Sequence, residues 1–171
     1  MRKLVIVATA LVAALALSGC TAHTGTAADV DGEPIAVTTV DRATRELNEL
    51  FTVDPRGVLS MLIVAPVYLD EAGDLGLGKS QAEARAYLAD VAMANELDLD
   101  IDAVSDATLD ILRFDMAVRD MNQLVDPAPV VERINGRLAE LDVDVNPRFG
   151  EFTGQVVAPS TPDWIVTAPA S

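Results

Sequence analysis

The sequence predicts a mostly helical domain of about five helices, closed by a small β element that the N-terminal and C-terminal segments of the domain form together. Two observations lead to this prediction. Between about residues 38 and 141, apolar residues recur at helical spacing in five runs, and several runs begin with residues that cap helices. On either side of these runs, residues 28–37 and 141–146 carry the turn residues and the alternation typical of short strands.

The first element is a signal peptide at residues 1–19. Two basic residues at 2–3 precede the apolar run 4–17, and small residues follow, which is the order of regions in a secretory signal. The apolar run has about 14 residues, fewer than the ~20 that a membrane-spanning helix requires. We therefore expect this segment to be removed rather than to remain as a membrane span.

The next element is a lipid anchor. Residues 17–20 (LSGC) resemble the bacterial lipobox, in which the peptidase cuts before a cysteine that carries a diacylglyceryl group. Cys20 is the one cysteine of the chain, so no internal disulfide is possible, and two or more acyl chains such as palmitate would hold the protein stably on a membrane. We expect a lipoprotein on the extracytoplasmic side, in the periplasm or at the cell surface. An ordinary cleavage site with a free thiol is the alternative.

The net charge limits the partners of the chain. Its formal charge is −15, and loss of the signal removes two further positive charges. A surface this acidic repels nucleic acid and anionic lipid, which argues against nucleic-acid binding and against docking of the folded part on the membrane. Neutral or basic polypeptides are the expected partners. The membrane is a further partner, which the lipid on Cys20 would enter.

The domain boundaries follow from composition. Residues 20–27 are small and polar, which predicts a tether. The helical domain should span residues 28–152, and residues 153–171, rich in proline, glycine and small side chains, should form an irregular tail.

The first two helices are the most distinctive. One should start after Thr38 or Thr39 and present a stripe that ends at Phe51. Asp54-Pro55 should open the second. Residues 58–69 of that second helix are apolar on most sides, as expected of a central helix or of one that faces a partner. Pro66 should kink this helix or end it near Ala65.

Three further helices complete the middle of the chain. Ser80 and Glu83 form a capping-box pattern, and that helix should run to about residue 97. The next should run from Ser105 or Asp106 to about 124, and the last from about 128 to 141. Residues 141–146 alternate apolar and acidic side chains, which predicts one strand, and the extended pieces at 28–37 are the nearest candidates to pair with it.

No catalytic or metal-binding constellation stands out. The single histidine, His23, lies in the tether, away from any rigid element that a catalytic triad requires. Residues 98–102 alternate acidic side chains as a calcium loop does, but the glycine and the distal glutamate of that motif are missing. Residues 73–79 lack the glycine spacing of a phosphate loop. A glycosidase-type pair of carboxylates stays open, because any two of the 27 acidic residues could meet in the fold. Nothing in the sequence singles out one pair. We expect no enzyme, cofactor or metal.

Two patches resemble one family. Residues 30–35 (VDGEPI), followed by 39–41 (TVD), resemble the V-N-G-x-x-I-x-x-x-D opening of the SurA-like N-terminal domain of periplasmic and surface chaperones and foldases. Residues 143–150 (VDVNPRFG) resemble the strand and N-P-R-[FY]-G segment that closes this domain in bacterial lipoproteins of the type. The resemblance covers about residues 28–152, and Asp31 stands where the opening motif usually has asparagine.

The resemblance implies a chaperone-like holdase that binds non-native or extended polypeptides without catalysis. Complete foldases of this type add a parvulin isomerase domain of roughly a hundred residues, whereas only 25 residues follow Asn146 here, so we expect no isomerase activity. The apolar helix and the methionines are suited to binding varied chains. The residues expected to bind polypeptide are Leu59, Leu62, Ile63, Tyr68, Met93 and Met116.

Two alternatives remain open at this stage. Each of these apolar residues is also compatible with a place in the core. The chain is also compatible with a structural or accessory lipoprotein whose apolar helix one dedicated partner covers permanently.

Overall fold

The computed structural model of the chain describes residues 25–160. The expected signal peptide, Cys20, His23 and most of the tether lie outside the described residues, as do residues 161–171 of the expected tail. Within the described part, the structure is mostly helical with two small sheets, so the predicted fold class is confirmed. Its five α-helices are α1 (Val37–Asn48), α2 (Pro55–Asp74), α3 (Gln81–Ala94), α4 (Asp106–Met121) and α5 (Ala128–Glu140).

The larger sheet joins the two ends of the domain. Its strands are β1 (Thr26–Val30), β2 (Glu33–Ala36) and β3 (Val143–Val145), in the order β2-β1-β3 and antiparallel throughout. The predicted pairing of residues 28–37 with residues 141–146 is therefore confirmed. The helices form one long excursion between β2 and β3.

The turn between β1 and β2 also contacts β3. Asp31 and Gly32 both have positive φ, 53° and 85°, which asparagine, aspartate and glycine tolerate best. The Asp31 carboxylate accepts a hydrogen bond from the N–H of Asp142 at 2.9 Å, and the Asp31 N–H donates to the Asp142 carbonyl at 2.8 Å. Aspartate at this position of the opening motif therefore closes the turn and also joins it to the other end of the domain.

The central helix is α2, which packs against α1, α4, α5, β1 and the last described strand. The predicted cap is confirmed, because Asp54 accepts a hydrogen bond from the Gly57 N–H at 2.7 Å ahead of Pro55. Of the two outcomes predicted at Pro66, a kink or an end near Ala65, the end does not occur, because α2 continues to Asp74. Proline removes one helical hydrogen bond, and buried side chains on both sides of it hold the helix in place.

The ends of the other helices follow local backbone chemistry. Ser80 and Glu83 form the predicted capping box, with the Glu83 N–H donating to Ser80 Oγ at 3.1 Å. α3 ends at Ala94, three residues before the expected end. There Glu96 has φ 55° and the Leu97 N–H returns to the Ala92 carbonyl at 2.9 Å, which is a Schellman termination.

The second sheet is a short hairpin of β4 (Glu151–Phe152) and β5 (Val157–Ala158). β5 lies in the segment expected to be an irregular tail. A two-residue strand is too short to show periodicity in sequence, since alternation needs four or more residues to be read. This β4–β5 hairpin packs on α2 through β5. Residues around β5 form one side of the C-terminal groove described below.

Candidate functional site

Two apolar grooves lie on different sides of α2. The first, the hairpin groove, lies between α2 and the β1–β2 hairpin and has a volume of about 360 Å³. Its apolar surface is formed mainly by Pro34, Ile35, Leu62, Ile63, Pro66 and Val67. The second, the C-terminal groove, has a volume of about 660 Å³ and lies between α2, α4 and the residues around β5.

Charged residues at the rim of the hairpin groove are mostly acidic. Asp31, Glu33 and Asp70 are accompanied by one cation, Arg137. Arg137 is already engaged, since its Nη2 donates to Asp70 Oδ2 at 2.9 Å. The turn end of the groove, with Asp31 and Glu33, therefore presents negative charge beside an apolar floor.

The backbone beside the hairpin groove is a poor template for strand addition. β2 is the edge strand, and Glu33 pairs with Val30 across the two-residue turn, while Ile35 pairs with Ala28. Because hydrogen-bonding direction alternates along an antiparallel strand, the backbone of Pro34 faces the open edge, where proline has no N–H to donate. A ligand in this groove must therefore be held mainly through its side chains.

The C-terminal groove has an aromatic wall. Tyr68 of α2 and Phe114 of α4 meet edge to face, with ring centroids 5.0 Å apart and an interplanar angle of 88°. Met61 and Val64 of α2 continue this wall, and Val156 to Pro159 form the opposite side. This opposite side is held against α2 because Ser60 Oγ accepts a hydrogen bond from the Val157 N–H at 2.8 Å.

The six residues expected to bind polypeptide do not form one surface. Leu59 and Ile63 are 0% and 1% exposed and belong to the core, although Ile63 also forms the floor of the hairpin groove. Leu62 is half-buried and lines the same groove, while Tyr68 lines the C-terminal groove. Two methionines lie away from both grooves. Met116 is half-buried against the core, and Met93 is 74% exposed on α3.

Sequence reasoning missed four of the apolar residues that line the hairpin groove. Pro34, Ile35, Pro66 and Val67 line it, yet the sequence indicates only a short extended segment at the first two, a helix breaker at Pro66 and one more apolar helix position at Val67. The signal was present in one case. A proline inside an otherwise apolar helix marks a side of the helix that can stay exposed, as Pro66 is. Pro34 and Ile35 of β2 line the same groove as Pro66.

The buried acidic groups serve the packing of helices. Glu71 is 4% exposed on α2, and its carboxylate accepts a hydrogen bond from Arg133 Nε of α5 at 2.8 Å, which raises the pKa of Arg133. A hollow of about 730 Å³, lined largely by charged residues, lies between these two helices and includes both residues. Because its carboxylates face these arginines, we interpret it as an ion-pair network.

Glu46 of α1 forms a second such cluster. It accepts hydrogen bonds from Ser105 Oγ at 2.5 Å and from Thr108 Oγ1 at 2.6 Å, at the start of α4, and from Arg42 Nε at 2.8 Å. Burial acts to raise the pKa of Glu46, but these hydrogen bonds outweigh it and the pKa is lowered from the ordinary value of 4.5. The cluster joins α1 to the N-terminus of α4.

Comparisons with known proteins add no assignment. No family model, curated protein or solved structure matches this chain. The resemblance to SurA-like domains therefore still depends on the two sequence patches. Within residues 25–160, no set of three or more histidine, cysteine or acidic side chains is arranged to hold a metal ion, and no helix has the length and apolarity to cross a membrane.

Proposed function

We propose that this chain is an extracytoplasmic lipoprotein, anchored through Cys20, that binds extended or non-native polypeptides in the hairpin groove and catalyses no reaction. The observation that carries the proposal is an apolar floor beside a negatively charged turn. The floor is formed by Leu62, Ile63 and Pro66 of α2 against Pro34 and Ile35 of β2. The resemblance to SurA-like domains supports the same class of function.

The size and chemistry of the groove suit a short peptide segment. Its volume of about 360 Å³ is near the lower end of the ~300–1,000 Å³ of small-ligand pockets. It would take a few apolar side chains of an extended chain. Because Pro34 offers no N–H at the edge, recognition depends little on backbone register, which suits varied clients.

Charge favours basic clients. Asp31 and Glu33 lie at the turn end of the groove, and the whole chain carries −15. Opposite charge raises the rate of encounter and favours lysine or arginine beside the apolar residues of the client. The preferred ligand is therefore an apolar segment of two to four residues, as an order-of-magnitude estimate from the groove volume, with basic flanks.

The sharpest test compares two neighbouring residues of α2. Leu62 lines the hairpin groove and Met61 lines the C-terminal groove, and both are half-buried. Glutamine is similar in length to both and is a good helix former. We expect Leu62→Gln to weaken binding of a fluorescent basic-apolar peptide about tenfold, equivalent to ~1.4 kcal/mol, and Met61→Gln to leave it unchanged.

Two further experiments test the proposal, one that varies the charge of the peptide and one that follows aggregation of a client protein. An acidic-flanked version of the same peptide should bind more weakly, and the purified full chain should delay aggregation of a denatured client. Unchanged binding in Leu62→Gln, or no delay at several-fold molar excess, would count against the proposal. A single stoichiometric partner that peptides do not displace would instead favour an accessory subunit.

Anchoring is tested separately. Mass spectrometry of the protein from its own membranes should find Cys20 as the acylated first residue. Cys20→Ser should leave the chain without acyl groups and release it from the membrane fraction or leave it as precursor. Wild-type protein that still carries residues 1–19 would contradict the proposal that Cys20 anchors the chain.

A further inference from the structure

The C-terminal groove is bordered by the end of the described chain. Val157, Ala158 and Pro159 form one side of it, and Ser160 is the last of the described residues. The opposite wall is apolar and aromatic, with Met61, Tyr68 and Phe114. Val156 on the same rim is 53% exposed. An open apolar groove of about 660 Å³ thus starts where residues 161–171 begin.

Residues 161–171 contain an apolar segment of suitable size. Their sequence is TPDWIVTAPAS, and residue 164 is the one tryptophan of the chain, followed by isoleucine and valine. A buried tryptophan removes ~150–250 Å² of surface from water. This segment is the most apolar part of residues 161–171.

The segment can reach the whole groove. Trp164 is five positions after Pro159, and an extended chain spans about 17 Å over that length. Met61 and Tyr68 are seven residues apart on α2, which corresponds to about 10 Å of helix. Trp164 can therefore be placed against the aromatic pair or against Met61 without moving β5.

We propose that residues 164–166 occupy the C-terminal groove of their own chain, with Trp164 against Tyr68 and Phe114. A segment joined by a short linker has an effective concentration of about a millimolar at its own groove. A second copy or a free polypeptide at lower concentration competes poorly with it. The tail thus covers one side of α2 and leaves the hairpin groove as the open one. This inference does not depend on the polypeptide-binding function.

The single tryptophan makes a direct test possible. The full chain is purified in a detergent without aromatic groups, and its Trp164 emission and acrylamide quenching are measured. We expect an emission maximum at shorter wavelength than that of tryptophan in water, with several-fold weaker quenching. Met61→Gln should shift the emission toward longer wavelength and increase quenching, whereas Leu62→Gln should change neither. Circular dichroism checks that both variants keep their helical content.

Each other result argues against the proposal. Emission typical of exposed tryptophan in the wild-type chain overturns it without any variant. A buried Trp164 that responds equally to both substitutions, or to neither, places the residue elsewhere. Burial that appears only as protein concentration rises indicates a second copy of the chain as the occupant and likewise overturns it.

Discussion

The hydroxyl of Ser60 accepts a hydrogen bond from the backbone N–H of Val157 at 2.8 Å, and both residues are buried. The same hydroxyl donates to the Arg56 carbonyl of its own helix at 2.9 Å. One side chain of α2 therefore holds the β4–β5 hairpin in place. The position of this hairpin determines the shape of the C-terminal groove.

Ser60→Ala should loosen that hairpin. The Val157 N–H would lose its acceptor in a buried place, which costs about 1–2 kcal/mol. Hydrogen exchange measured at the Val157 amide should accelerate accordingly. Thr153→Ala is the control, because the exposed Thr153 hydroxyl bonds only within the hairpin, to the Val156 carbonyl at 3.0 Å. Unchanged exchange at Val157 in Ser60→Ala would show that the hydrogen bond contributes little.

Glu46 should make the free energy of unfolding depend on pH in the acidic range. Because its pKa is lowered in the folded chain, its contribution is present above the unfolded value and is lost as pH falls through the folded value. Glu46→Gln should therefore be less stable than wild type above pH 4.5, and the difference should shrink on acidification. Denaturant melts across pH measure this. The exposed Glu49, exchanged for glutamine, is the control and should show a smaller difference, and parallel pH profiles for wild type and Glu46→Gln would refute the assignment.

Two arginines of α5 should differ in importance. Arg133 pairs with Glu71, whose side chain is 5% exposed, whereas Arg137 pairs with Asp70, whose side chain is 69% exposed. Arg133→Met leaves a buried carboxylate without its cation and should lower the melting temperature by several degrees. Arg137→Met removes an exposed pair and should lower it much less. Thermal unfolding of the two variants decides, and equal shifts would contradict the burial argument.

Two glycines should respond in opposite directions to alanine. At Gly150, with φ 124°, an added Cβ would lie 1.9 Å from the Ala158 carbonyl oxygen, so Gly150→Ala should cost at least about 2 kcal/mol. Gly136 lies in α5 with nothing within 4 Å of an added Cβ. Gly136→Ala should stabilise the chain by about 0.5–1 kcal/mol through helix propensity. Urea titration of both variants measures the signs, and a neutral Gly150→Ala would mean that the hairpin moves easily.

Most of the fold could be predicted because its signals are local. Asp54-Pro55 and the Ser80–Glu83 capping box begin helices through hydrogen bonds between residues three positions apart, so a few residues of sequence are enough to predict them. The pairing of β1 with β3 is long-range. It was predictable because the single strand-like segment at 141–146 needed a partner, and the extended pieces at 28–37 were the nearest candidates.

The site was harder to predict because it depends on which way a helix faces. Met61, Leu62 and Ile63 are consecutive and all apolar, yet Met61 lines the C-terminal groove and Leu62 lines the hairpin groove. Ile63 contributes to the floor of the hairpin groove but is nearly fully buried. Periodicity cannot rank the sides of a helix that is apolar all round. The passage of α2 through Pro66 also depends on tertiary packing, which outweighs the loss of one helical hydrogen bond.

The central place of β1 in the sheet determines how the domain would bear a load. Any tension that arrives through the N-terminal segment pulls on a strand held on both sides, by the Val37 N–H bonded to the Gly25 carbonyl at 2.8 Å and by the Asn146 N–H bonded to the Ala27 carbonyl at 2.9 Å. Antiparallel hydrogen bonds run perpendicular to the strands, so a pull along β1 shears both ladders at once instead of opening them one bond at a time. A pull that reaches β1 therefore meets the hydrogen bonds to β2 and to β3 together.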